Sequence, residues 1–164
     1  MPSLYIFSGL PGTGKSTLSR GLSGHFGAAY VRIDTLENGL RAMLSQPVVA
    51  EGYDLAMCIA KDNLGLGLDV VADSCNGVQI TRDGWYDVAE QTNATPVDIE
   101  VVCSDVAEHR RRVESRRSSE GKDQPSWQDV VEREYLPWTT PRIVLDTASL
   151  APETVLARLL DTLT

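Results

Sequence analysis

The chain predicts an α/β fold of three layers, α/β/α, with a five-stranded, mostly parallel sheet in the middle. Three observations carry that prediction. Short apolar runs alternate with helix-like stretches along the whole sequence, the pattern of strands whose crossover helices cover both faces of a sheet. A glycine-rich segment, Gly9-Leu10-Pro11-Gly12-Thr13-Gly14-Lys15-Ser16, joins the first apolar run to the first helix. The 164 residues, 42% hydrophobic and 23% charged, fit one domain (1–164) with a core of its own.

Taken in order, residues 4–7 (Leu-Tyr-Ile-Phe) are the first strand and Lys15–Phe26 the first helix. The second strand is predicted over 28–33, then a short helix over 35–44 that stops before Pro47. Residues 51–64 read as a helix with Leu55 and Ile59 as its apolar positions, and Met57 and Ala60 more weakly so. A third strand covers 68–72, and a helix over 81–92 carries Trp85, Val88 and Ala89 on one side. The fourth strand spans 96–103. The helix over 105–117 opens on Asp105 and Glu108, acids at capping-box spacing. Residues 118–125 are polar and loose, and 126–135 form a further helix with Ser126 and Asp129 as its capping pair. Residues 142–145 are the fifth strand, and the helix Pro152–Leu163 buries Val155, Leu156, Leu159 and Leu160.

Composition excludes several classes of function. A net charge of −8 argues against a broad nucleic-acid surface, which needs a basic stripe. No stretch is long and apolar enough to span a membrane. The opening Met1-Pro2-Ser3 runs directly into a strand, so no signal peptide is expected. The cysteines, Cys58, Cys75 and Cys103, are odd in number and lack metal-ligand spacing; reduced thiols in a cytoplasmic protein are the expected reading.

Residues 9–16 spell G-x-x-x-x-G-K-[ST] between a strand and a helix, the context this phosphate-binding motif requires. Its glycines let the backbone curl so that successive N–H groups converge on a polyphosphate, and the helix adds its positive end. Lys15 is expected to reach the β- and γ-phosphates, the Ser16 hydroxyl to ligate Mg²⁺, and Thr17 to make a helix-start contact. In sheets of this kind ligands sit at the carboxyl ends of strands. The residues to inspect are therefore 9–16, Asp34, 73–76, Ser104 with Asp105, and Asp146 with Thr147.

On these residues the chain resembles the small P-loop kinases: gluconate kinase, chloramphenicol phosphotransferase, zeta toxins and the kinase domain of polynucleotide kinase. The resemblance rests on Gly-Leu-Pro-Gly-Thr-Gly-Lys-Ser-Thr, Asp34 after the second strand, Val-Val-Ala-Asp73 at the end of the third, and the arginines of 110–117. It implies a P-loop NTPase fold with sheet order 2-3-1-4-5, an ATP cradle formed by 9–17, and a helical lid over about 110–135. It also implies an acceptor-activating acid at Asp34 and a Mg²⁺-side acid at Asp73. ATP and Mg²⁺ are the implied cofactors, and the implied reaction is transfer of the γ-phosphate to a hydroxyl of a small-molecule acceptor.

Each candidate also has a structural reading. Asp34 lies nineteen positions after Lys15, where a carboxylate can take the acceptor's proton. Asp34-Thr35-Leu36-Glu37 equally spells a capping box. Asp73 ends an apolar strand, as a Mg²⁺-holding acid does, or starts the turn over 73–77. Arg110, Arg111, Arg112, Arg116 and Arg117 read as a solvated face with acid partners or as a source of phosphate contacts. Arg112 and Arg116, four apart, are the candidates for phosphate contact. Arg41, Arg82 and Trp85 are weaker candidates for an acceptor pocket built from 35–52 and 79–86, with core packing the alternative for Trp85. His25 and His109 have no companion motif and read as surface residues. Asp146-Thr147-Ala148 is either a plain turn or the backbone near an adenine.

Two alternatives to a small-molecule kinase stand beside it. A polynucleotide 5′-kinase carries an Arg three residues past its acid, where this chain has Glu37. A nucleotide-binding switch or ATPase module needs the loop and Asp73 but not Asp34 or the lid. Adenylate kinases carry an Asp-Gly-x-Pro-Arg pattern that is missing near Asp73. The sequence leaves the acceptor and the oligomeric state open.

Overall fold

The computed structural model describes residues 1–121 and 124–163, so part of the segment predicted as loose over 118–125 lies outside the described residues, as does Thr164. The order is β1 Ser3–Ser8, α1 Lys15–Phe26, β2 Ala29–Arg32, α2 Ile33–Met43, α3 Glu51–Gly65, β3 Val70–Asp73 and α4 Gln79–Thr92. It continues through β4 Thr95–Val102, α5 Val106–Glu120, α6 Trp127–Val131, β5 Ile143–Asp146 and α7 Pro152–Leu163. The strands form one five-stranded sheet, β2-β3-β1-β4-β5, and every pairing is parallel. This is the predicted three-layer P-loop NTPase fold.

Alternation along β1 sends its side chains to two cores. Leu4 and Ile6 pack with Val31, Val70 and Ala72 against α3 and α4, where Ala56, Ala60, Leu64, Trp85 and Val88 are buried. Tyr5 and Phe7 pack with Val71, Ile99 and Val101 against α1 and α7, through Leu18, Leu22, Val155 and Leu159. Register then sets the site. Phe7 on β1 and Arg32 on β2 both pair with Asp73 on β3, so the three strands release their chains side by side at one sheet edge.

Four local predictions are corrected. The buried face of α3 is Gly52, Ala56, Ala60 and Leu64, while Leu55 and Ile59 are exposed; small residues four apart let this helix lie close to its neighbours, and the larger side chains stay on the shoulders. α2 begins at Ile33, with Arg32 as N-cap and no side-chain cap bond, so Asp34 lies inside its first turn and the capping box does not form. α5 runs on to Glu120. There Ser118 and Ser119 bond back to the Glu114 and Arg116 carbonyls, and Glu120 pairs with Arg116.

The helix predicted over 126–135 stops at Val131, although its Ser126–Asp129 capping box forms as expected. Tertiary bonds claim the chain beyond it. The Leu136 N–H donates to the Gly77 carbonyl at 2.7 Å, and Arg82 donates to the Leu136 and Pro137 carbonyls at 2.8 and 3.1 Å. Arg82 is therefore a buried strap-holder stacked 3.9 Å over the Trp138 ring, and Trp85 is fully buried. Neither lines an acceptor pocket.

Trp85→Ala is expected to destabilise the fold by about 3–5 kcal/mol, the range for emptying a buried Trp site. Ile80→Ala on the exposed side of the same helix should fall within about 0.5 kcal/mol of zero. Urea unfolding of both variants checks this, and equal costs would contradict the core on this face.

Candidate functional site

The turn after β1 is shaped by positive φ angles at Gly9 (148°), Gly12 (85°) and Gly14 (93°). Two of these positions also exclude a side chain by contact. A Cβ on Gly9 would lie 2.4 Å from the Val101 carbonyl oxygen, and one on Gly12 would lie 2.5 Å from Val113 Cγ2. Gly14 is the N-cap of α1 and no side chain caps the helix, so the first N–H groups of α1 remain available to an anion. The Thr13 hydroxyl turns back to donate to the Leu10 carbonyl at 2.9 Å, and Thr13 itself is buried. Its side chain is thus used inside the loop.

Lys15 Nζ donates to Asp73 Oδ1 at 2.8 Å, and the Asp73 side chain is fully buried. The Tyr30 hydroxyl donates to Asp73 Oδ2 at 2.6 Å, Arg32 Nε lies 3.8 Å from the same oxygen, and the Ser16 hydroxyl is in hydrogen-bonding reach. Burial alone would raise the Asp73 carboxyl, but the Lys15 charge and the bonds from Lys15, Tyr30 and Ser16 outweigh it and hold the group below the usual carboxylate range. Burial and the neighbouring carboxylate push the Tyr30 phenol up. A Mg²⁺ ion on a nucleotide needs only one or two protein oxygens, with phosphate and water supplying the others. An ionised buried carboxylate beside a hydroxyl fits that need.

Asp34, half-exposed, accepts from Arg32 Nη2 at 2.9 Å. Arg41 reaches Glu37 at 2.7 Å and Asn38 at 3.1 Å along α2. In the arginine segment the solvated-face reading holds for Arg110 and Arg111, which pair with Glu114 and Glu108. Bonds from Arg111 and Arg112 hold the Glu108 carboxyl at about 2. Arg117 instead donates to the Gln124 carbonyl and ties down the return of the chain. Arg112 bonds to Glu108 and to both the hydroxyl and the carbonyl of Thr147, all within 2.9 Å. The Thr147 hydroxyl in turn donates to the Thr13 carbonyl at 2.7 Å.

A cleft of about 1090 Å³ brings these parts together. Its walls include Gly9, Leu10, Pro11, Gly12, Gly14, Lys15, Ser16 and Thr17 from the loop, Asp34 and Arg41 from α2, and Arg112 and Arg116 from α5. Residues 79–86, expected to help build the acceptor pocket, are not among them, whereas Glu37, Asn38, Arg41 and Ala42 of the expected 35–52 stretch are, together with Gln124, Pro125 and Arg133. His25 is exposed as expected. His109 is not a surface residue: it is buried, its Nε2 sits 2.8 Å from the Pro11 carbonyl, and its ring meets Trp127 edge-on at 5.2 Å. Asp146 accepts from the Ser104 and Ala148 N–H groups, a turn-forming role. Tyr30, Arg32 and Arg133 were missed in the sequence, and Thr147 was singled out there only as part of a turn or of backbone near an adenine. For Arg32 alone a signal existed, its place two residues before Asp34 at a strand end.

A phosphate-binding turn between the central strand and an uncapped helix, in a sheet of order 2-3-1-4-5, defines a P-loop nucleotide-binding α/β protein. The model of the AAA domain family matches residues 4–134, and the chain belongs to that family. The resemblance to the small P-loop kinases holds at the level of fold. A candidate kinase from Chloroflexus aurantiacus has TM-score 0.77 at 21% identity, covering 99% of this chain and 96% of that one. The APS kinase CysC of Mycobacterium tuberculosis, in complex with AMPPNP and APS, has TM-score 0.76 at 17% identity, covering 99% and 97%. Chaetomium thermophilum Kti12, in complex with ADP-AlF3, has TM-score 0.71 at 22% identity, covering 98% and 99%. No curated protein matches the chain in sequence. No helix among the described residues is long and apolar enough to cross a membrane.

In metal-free buffer Asp73→Asn is expected to cost about 1–3 kcal/mol at pH 7, because it removes a buried ion pair whose Lys15 partner can turn toward solvent. The folded-state value of Asp73 is depressed. Its contribution is therefore complete above the unfolded value of about 4 and is lost as pH falls through the lower folded value. Thermal melting from pH 7 to about 3 should show the gap between parent and variant closing; a gap independent of pH would contradict an ionised Asp73.

Proposed function

We propose that this chain is an ATP-dependent phosphotransferase that moves the γ-phosphate of Mg-ATP to a hydroxyl of a small-molecule acceptor. One observation carries the reading. The phosphate-binding loop and the Asp34 carboxylate open on one cleft, and no helix-cap duty occupies Asp34.

In this reading the loop N–H groups and Lys15 hold the triphosphate tail, and Lys15 leaves Asp73 to do so. Ser16 and, through water, Asp73 would hold a Mg²⁺ ion, which would supply charge neutralisation to the phosphates. Asp34 takes the proton of the acceptor hydroxyl as its oxygen forms the new bond to the γ-phosphorus; the bond to the β-phosphate oxygen breaks and ADP leaves. Arg112 and Arg116 offset the charge on the transferred group, and the lid over about 110–135 keeps water out. The free thiols favour a cytoplasmic setting.

A nucleotide-driven switch is the second reading, favoured by the likeness to Kti12, whose name specifies no phosphate acceptor. Asp34→Asn separates the two. A phosphotransferase should lose about 10²–10⁴-fold in single-turnover ATP consumption with acceptor, with AMPPNP affinity unchanged. A switch should consume ATP equally with every acceptor and hardly respond to the substitution. Lys15→Ala should weaken nucleotide binding in either case.

A further inference from the structure

The cleft concentrates the positive charge of an acidic chain. Among the described residues it takes Lys15 and six arginines of the chain's 15 Lys and Arg, but only three of its 23 acids, Asp34, Glu37 and Glu120. This concentration occurs in a chain of net charge −8. Its volume of about 1090 Å³ lies at the upper end of the roughly 300–1,000 Å³ found for small-molecule sites.

Lys15, Arg112 and Arg116 are assigned to the nucleotide in the reading above, and the sixth arginine, Arg20, lies on α1, the helix that opens at the loop. Arg32, Arg41 and Arg133 are not so assigned, and they come from the end of β2, from α2 and from the segment after α6, the elements around Asp34. Their bonding is incomplete. Arg32 engages one N–H in a hydrogen bond, to Asp34, and its buried Nε makes no hydrogen bond, only a long ion pair of 3.8 Å with Asp73 Oδ2. Arg133 makes no hydrogen bond or salt bridge among the described residues. Arg41 is half-exposed and keeps donors beyond those given to Glu37 and Asn38. The strap held by Arg82 fixes the chain just past Arg133, three residues before Leu136. A neutral polyol gives such guanidinium groups nothing to offset their charge, whereas an oxyanion accepts their paired N–H groups.

We propose that the phosphate acceptor carries an oxyanion of its own, a phosphate, sulfate or carboxylate, held by Arg32, Arg41 and Arg133 while its hydroxyl faces Asp34. The proposal rests on the phosphotransferase reading, and its test keeps the two apart. Calorimetry first fills the loop with AMPPNP and Mg²⁺; failure here overturns the reading and the proposal together. The loaded protein is then titrated in parallel with inorganic phosphate, sulfate, gluconate and neutral glucose. Saturable binding of at least one oxyanion and none of glucose is expected. The Arg41→Gln/Arg133→Gln double variant should lose about tenfold or more of that affinity, the scale of a lost charge-assisted contact, and keep its AMPPNP affinity. Arg133→Gln alone, at an exposed position, guards against a loss of fold and should weaken oxyanion binding in the same direction. Normal AMPPNP binding with no oxyanion binding, or oxyanion binding untouched by the substitutions, overturns the proposal and leaves the reading standing.

Discussion

The buried carboxylate of Asp73 is the constraint around which the site is arranged. It sits at the end of a strand with no access to water, and an ionised group there is tolerated only with partners. Two elements supply them: Lys15 and Ser16 from the start of α1, and Tyr30 and Arg32 from β2. Each of these groups is thereby drawn to one point at the sheet edge. The pair with Lys15 also holds the loop lysine in the cleft before any nucleotide arrives. In the reading proposed above, anionic phosphate would compete with Asp73 for that lysine, and Tyr30 and Arg32 would keep the carboxylate compensated.

The arginine helix is tied to the loop by more than charge. His109 and Val113 pack against the face of Gly12, and His109 bonds the Pro11 carbonyl. Arg112 grips both polar groups of Thr147, whose hydroxyl reaches the Thr13 carbonyl. A displacement of the loop is therefore felt directly by α5 and by the turn after β5. This contact explains why Gly12 tolerates no side chain even apart from its φ angle: the methyl of Val113 already occupies the place a Cβ would take.

The architecture was legible because it is written in local patterns. The alternation of apolar runs gave the strands, and the loop motif at a strand–helix junction gave the position of the nucleotide site. The Ser126–Asp129 cap was likewise readable from spacing. What sequence hid is what depends on tertiary partners. Asp34-Thr35-Leu36-Glu37 has the spacing of a capping box, yet α2 starts two residues before Thr35, Arg32 holds Asp34 and Arg41 holds Glu37. Arg82 looked like a pocket residue and is spent on three carbonyls and an aromatic ring. His109 carries no motif because its partner is a backbone carbonyl ninety-eight positions away. Leu55 and Ile59 dominated the apolar pattern of α3, but close packing against neighbouring elements favoured the alanine and glycine side.

The arginines of the cleft divide by how firmly they are held, and that division follows from chemistry. Arg112 spends three N–H donors on fixed partners, Glu108 and the two oxygens of Thr147, so its charge is preorganised beside the loop and costs little rearrangement when a phosphate arrives. Arg116 has a single i,i+4 partner, Glu120, and a partly exposed side chain. Such a pair is worth little in water and is readily exchanged for a phosphate oxygen. A site that must both bind a polyanion tightly and close over it needs cations of both kinds. In the phosphotransferase reading proposed above, the tethered one would set where the charge lies, and the loosely paired one would make closure depend on the anion.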